Sequence, residues 1–160
     1  MGKFNGKISA EFTPPRTWIL EKSLSFETEH LNNNDIEILT KVGAKVEDTG
    51  KGTGKVTCGK GMKTDLASVP RAVWAFIAPW DVARPAIIHD VLYGALRDAL
   101  KNKTHDEKLV NEMRAAADRV FLEGMMHVEP PIKMWKAKPC YWSVRPFGRF
   151  AIRKAGMAQT

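Results

Sequence analysis

Arg84-Pro85-Ala86-Ile87-Ile88-His89-Asp90-Val91-Leu92-Tyr93-Gly94-Ala95-Leu96-Arg97-Asp98-Ala99-Leu100-Lys101 is the stretch on which the fold of this chain turns. On a 3.6-residue period, Ile88, Val91, Leu92, Ala95, Leu96, Ala99 and Leu100 gather on one broad apolar face, which predicts an amphipathic helix over 84–101. His89 and Tyr93, four residues apart, share one margin of that face. Asp90 and Arg97 fall on its polar side.

Downstream, Lys101-Asn102-Lys103 is too short to do more than reverse the chain, so a third helix should lie antiparallel to this one. Thr104 with Glu107 three residues on reads as its capping box. Leu109, Met113, Ala116 and Val120, with Val110, Ala117 and Phe121, form its core stripe. Asp118 sits at the stripe's edge, one turn from Arg114, and the helix should end near His127 because Pro130-Pro131 follows. Met134 to Lys154 mixes Trp135, Tyr141, Trp142, Phe147 and Phe150 with basic residues and reads as a last helix or two over the core. Upstream, Ser68 as N-cap and Pro70 in the first turn predict a short helix running to about Ala78, stopped at Pro79.

Before Gly61 the pattern changes to strands. Thr17–Leu20, Leu24–Glu27 and Lys55–Cys58 read as short strands, and Ile36–Val42 alternates as a half-buried strand does after the turn cluster Asn32–Asp35. Gly50–Gly54 is a flexible loop. Residues 1–15 read as a polar lead-in ending at Pro14-Pro15, with no internal repeat anywhere in the chain. The expectation is an α+β fold in one domain over 1–160. A small β-rich part over about 16–60 packs against a cluster of three or more helices over 61–154, and 1–15 and 155–160 are flexible ends.

Composition narrows the class. With 160 residues, 44% of them hydrophobic and 27% charged, the chain can bury a core without a staple. Cys58 and Cys140 lie in no paired-ligand spacing, which argues against structural zinc and for two free thiols in a reducing host cytoplasm. The start lacks the apolar stretch of a secretory signal, and the longest apolar run, Ala72–Trp80, is broken by Pro79, so no transmembrane segment is expected. Of the net charge of +7, nearly all falls in residues 129–160, where seven basic residues face Glu129 alone. A polyanion, nucleic-acid or acidic-protein contact would therefore be sought at Lys133, Lys136, Lys138 and Arg145.

Two clusters carry possible chemistry. Thr64-Asp65-Leu66-Ala67-Ser68-Val69-Pro70-Arg71 joins the β part to the helices, with Asp65, Ser68 and Arg71 as candidate binding residues, or Asp65 as a turn residue bonding backbone amides. His89, Asp90 and Tyr93 face Asp118 of the next helix. As chemistry, His89 and Asp118 would make a base and its orienter, Tyr93 would assist, and Asp90 could ligate a hard divalent cation. As structure, His89 and Tyr93 are core-margin residues satisfied locally, Asp118 pairs with Arg114, Asp90 meets Arg97 or caps a loop, and His105-Asp106 belongs to a helix start.

In order and spacing these motifs resemble the phage-borne domain-of-unknown-function family numbered 1353. They run as the TDxASVPR turn, HDxxY, Asp118-Arg119-x-Phe121 and Tyr141-x-x-Val144-Arg145-x-Phe147-Gly148, over about residues 16–152. The resemblance implies a phage or prophage origin and no particular activity. The HDxxY helix facing an aspartate is also similar to secreted and viral phospholipases A2, but the glycine-rich calcium loop of those enzymes has no counterpart between Ala78 and Arg84. Metal-dependent phosphohydrolases with an H…HD…D pattern would need an upstream helical histidine, and His30 lies in the β part.

The leading expectation is a virion-associated or accessory phage protein, of the tail or neck, working through contacts with other virion proteins and needing no cofactor. The alternatives are a small hydrolase using His89 and Asp118, with a divalent cation at Asp90, or a nucleic-acid or host-factor binder acting through the basic C-terminal region.

Overall fold

In a computed structural model, residues 1–15, 17–64, 75, 77–78 and 80–157 are described, with side chains as far as Pro146. Leu24–Thr28 (β4) is the centre of the larger sheet. Lys3–Phe4 (β1) pairs on one side of it, Gly54–Cys58 (β6) on the other, and Val46–Asp48 (β5) lies outside β6, all antiparallel. A smaller antiparallel sheet has Thr17–Leu20 (β3) between Ala10–Thr13 (β2) and Lys63–Thr64 (β7). Residues 1–15 thus contribute two strands where a flexible lead-in was expected. Both are edge strands, and β2 is largely exposed, so neither carries an apolar alternation that would announce it.

The segment read as a strand over 36–42 is a helix, Asn33–Lys41 (α1). Its start explains why. The Asn32 side chain accepts from Asp35 N at 2.9 Å, and the Asp35 carboxylate accepts from Asn32 N at 3.1 Å, a reciprocal cap built from what looked like a turn cluster. Ile36 and Leu39, three apart, are the apolar residues it buries, beside the capping Asp35. The alternation of Ile36, Ile38, Thr40 and Val42 happened to fit a strand as well.

The helical part follows the sequence closely. Ala83–Lys101 (α2), Glu107–Met126 (α3) and Met134–Met157 (α4) form the cluster, so the fold is α+β as expected. Contacts run in opposite senses along α2 and α3: Pro85 lies against Gly124, while His89 reaches Phe121 and Asp118, which makes the pair antiparallel. A Cβ on Gly124 would come within 3.1 Å of the Pro85 Cβ, so glycine is what lets the helices approach there. The cap of α3 is Asp106, whose carboxylate accepts from Leu109 N at 2.7 Å, and not Thr104, whose hydroxyl donates instead to Ala99 O. The helix expected over 68–78 lies almost wholly outside the described residues.

The larger sheet lays Leu24, Phe26, Val56 and Cys58 against Ile87, Ile88, Leu92 and Phe121 of the helices, one continuous core. Thr28 and Glu123 are polar members of it: the threonine hydroxyl donates to the Glu123 carboxylate, tying β4 to α3. Among the described residues no helix is long and apolar enough to cross a membrane.

Candidate functional site

The antiparallel pairing of α2 and α3 brings the suspected dyad together. His89 Nε2 lies 2.9 Å from Asp118 Oδ1, and the Tyr93 hydroxyl donates to the same oxygen at 2.6 Å. A carboxylate only accepts, so Nε2 carries the proton it shares with Asp118. The imidazole is also clasped by aromatic rings, Tyr93 at 4.1 Å and Phe121 at 5.0 Å between centroids. Every residue singled out in HDxxY and in Asp118-Arg119-x-Phe121, apart from Asp90 and the exposed Arg119, is therefore part of one knot, with His89, Asp118 and Phe121 buried and Tyr93 half-buried at its edge.

Burial decides what this knot can do. His89 is 3% exposed and Asp118 0%. The nitrogen that would have to activate a water, His89 Nδ1, is enclosed and has no hydrogen-bond partner, as are Asp118 Oδ2 and Arg114 Nε. Burial, followed by the charge and hydrogen bond of Asp118, pushes the Tyr93 phenol well above its ordinary range, so it serves as a fixed donor. A base needs its lone pair within reach of a substrate proton, and this one is shut off from solvent.

Asp118 pairs across to α2, and not along α3 with Arg114 as an i,i+4 reading suggests. Arg114 instead turns to α4, its guanidinium donating to Arg145 O at 3.1 Å. Arg145 in turn donates to the Tyr141 hydroxyl at 2.7 Å. The C-terminal motif is thus bonded to α3 through Arg114, and residues of three helices contribute to the polar seam of the cluster. Sequence reasoning missed the buried Glu123, and the link from Arg114 to Tyr141 through Arg145. For Tyr141 and Arg145 the signal was available in their i,i+4 spacing.

The remaining candidates fall elsewhere. Asp90 is half-buried and accepts from the Thr64 hydroxyl at 3.0 Å, joining β7 to α2. Among the described residues no three His, Cys, Asp or Glu side chains converge as a metal site would require. Asp65, Ser68 and Arg71 lie outside the described residues. Lys133 and Lys138 are exposed and Lys136 half-buried, its ammonium 5.3 Å from the Trp135 ring. Cys58 and Cys140 are free and buried; burial pushes their thiols up to about 12 and about 11, with Asp90 adding to the first. An open apolar cleft of about 260 Å³, lined by Ile8, Ala10, Trp18, Trp80, Ala83 and Ile87, includes no member of the polar seam.

Residues 41–144 match the model of a family described as "Protein of unknown function (DUF1353)". The matched span runs from just before β5 into α4 and holds His89, Tyr93, Asp118 and Tyr141, with Arg145 one residue beyond it. No curated protein and no solved structure matches the chain.

Proposed function

The chain belongs to the family of unknown function numbered 1353, and on that premise we propose that it is a contact protein of a bacteriophage, virion-associated or accessory, that performs no catalysis. One observation carries the non-catalytic part. The one histidine positioned by a carboxylate has its other nitrogen sealed inside the helix cluster, so the dyad serves as a clamp between α2 and α3. The phage origin rests on the order of motifs from Thr64 to Gly148, and a place in the tail or neck follows from what phages commonly encode, not from particular residues. Purified particles of the source phage should contain the chain in stoichiometric amount. His89→Gln should still assemble while losing on the order of 1–2 kcal/mol of stability. A well-folded His89→Gln chain that yields intact but non-infective particles would overturn the reading.

A second reading, a small hydrolase, draws on a specific feature. His89 Nδ1, Asp118 Oδ2 and Arg114 Nε are three buried polar atoms without partners in one seam, and such orphans often mark functional sites. If an opening of the helices exposed them to substrate, His89→Gln would abolish turnover by orders of magnitude with the fold intact.

A further inference from the structure

Two stretches of α4 repeat one another seven residues apart: Trp135-Lys136-Ala137-Lys138-Pro139 and Trp142-Ser143-Val144-Arg145-Pro146. In each, the third residue is core, with Ala137 and Val144 buried beside Cys140, and the tryptophan points away from it. Trp135 is 64% exposed and Trp142 62%. Seven residues is close to two helical turns, so both rings stand on one line, ~10 Å apart along the axis. Lys138 and Pro139 are exposed between them. The prolines Pro139 and Pro146 stand inside the helix four residues after each tryptophan and have no N–H, which leaves the Trp135 and Trp142 carbonyls without their helical donor.

We infer that this outward face of α4 is a docking ridge for an acidic protein partner, one with two apolar sockets at heptad spacing rimmed by carboxylates. The inference rests on the contact-protein reading and names its partner. Large rigid aromatic anchors flanked by cations are what carry energy in protein interfaces, and anchors at i, i+4 and i+7 are how a helix enters a groove. The charge selects the occupant. Residues 129–160 hold seven basic side chains and one acidic, so a second copy of the chain would set like charges against each other. A lipid surface suits a continuous apolar face, and here Lys138 interrupts the line between the rings. A single-stranded nucleic acid would stack successive bases on neighbouring aromatics, closer together than two rings ~10 Å apart on a stiff rod.

The test uses the full chain and a labelled acidic amphipathic peptide of about three heptads, with leucines at heptad spacing flanked by glutamates. Fluorescence anisotropy should show binding that weakens with salt, and that falls at least about tenfold in Trp135→Ala and again in Trp142→Ala. Circular dichroism should find both variants folded, since neither ring is part of the core. Failure of the wild type to bind the peptide, or equal binding by the double variant, overturns the inference. So does binding of oligothymidine, or of equimolar phosphatidylserine–phosphatidylcholine vesicles, in place of the peptide. None of these outcomes touches the sealed dyad, and a loss of turnover in His89→Gln would sink the non-catalytic reading without altering peptide binding.

Discussion

The two sides of the helical cluster use similar residues in opposite ways. Inside, His89, Tyr93, Asp118, Arg114, Tyr141 and Arg145 are linked helix to helix, and the groups best suited to chemistry are closed off from solvent. Outside, on α4, Trp135, Lys138 and Trp142 lie uncovered. A histidine beside an aspartate attracts attention in a sequence, and interleaved tryptophans suggest core. Here the buried state belongs to the first and the exposed state to the second, so accessibility, and not residue type, separates the scaffold from the surface that can meet a partner.

The sharpest way to break this contrast is Asp118→Ala. It leaves the buried His89 ring and the half-buried Tyr93 without their shared acceptor, and should cost about 3–5 kcal/mol, read as a lower urea midpoint at unchanged slope. A loss under about 1 kcal/mol would mean that water already reaches the seam, and the inside would no longer differ from the outside. Tyr93→Phe removes one donor from an oxygen that keeps His89, so about 1 kcal/mol is expected in the same measurement.

Alkali and thiol reagents probe the same seal. The Cys58 and Cys140 thiols are raised from an ordinary 9.0 to about 12 and about 11. Unfolded chains therefore lose those protons first, so this contribution to stability is whole below pH 9 and is lost as pH climbs through about 11 to 12. At pH 8 an aromatic disulfide reagent should label neither cysteine until denaturant is added. Labelling of the native chain would show the core to be open. The smallest effect is expected outside: Trp135→Ala and Trp142→Ala should each change stability by less than about 0.5 kcal/mol. A larger loss would place those rings in the core after all.

What was legible in the sequence follows the strength of each local signal. The periodicity of 84–101 gave α2 to within one residue, and the End of α3 at His127 was set by the prolines beyond it. The capping rule found α3 but chose Thr104 over Asp106, because only Thr104 has a glutamate three residues on, while Asp106 caps by its own carboxylate alone. The pattern at 36–42 supported strand and helix together, and only the reciprocal Asn32–Asp35 cap decides between them. β1 and β2 were invisible because short edge strands need few apolar residues. At the site, helix spacing was enough to bring His89, Tyr93 and Asp118 together. The burial of His89 and Asp118 was not, because a helical wheel places Asp118 at the margin of one stripe and says nothing of what packs against that margin.

The shared oxygen of Asp118 has one more consequence, for how α2 and α3 find their alignment. Apolar faces alone tolerate sliding, since leucine against alanine is much the same a turn earlier or later. A slip of one turn, ~5.4 Å, would carry the imidazole and the phenol past their common acceptor and strand a carboxylate among hydrocarbon. The knot therefore acts as a vernier mark, accepting one setting of the two helices and rejecting its neighbours.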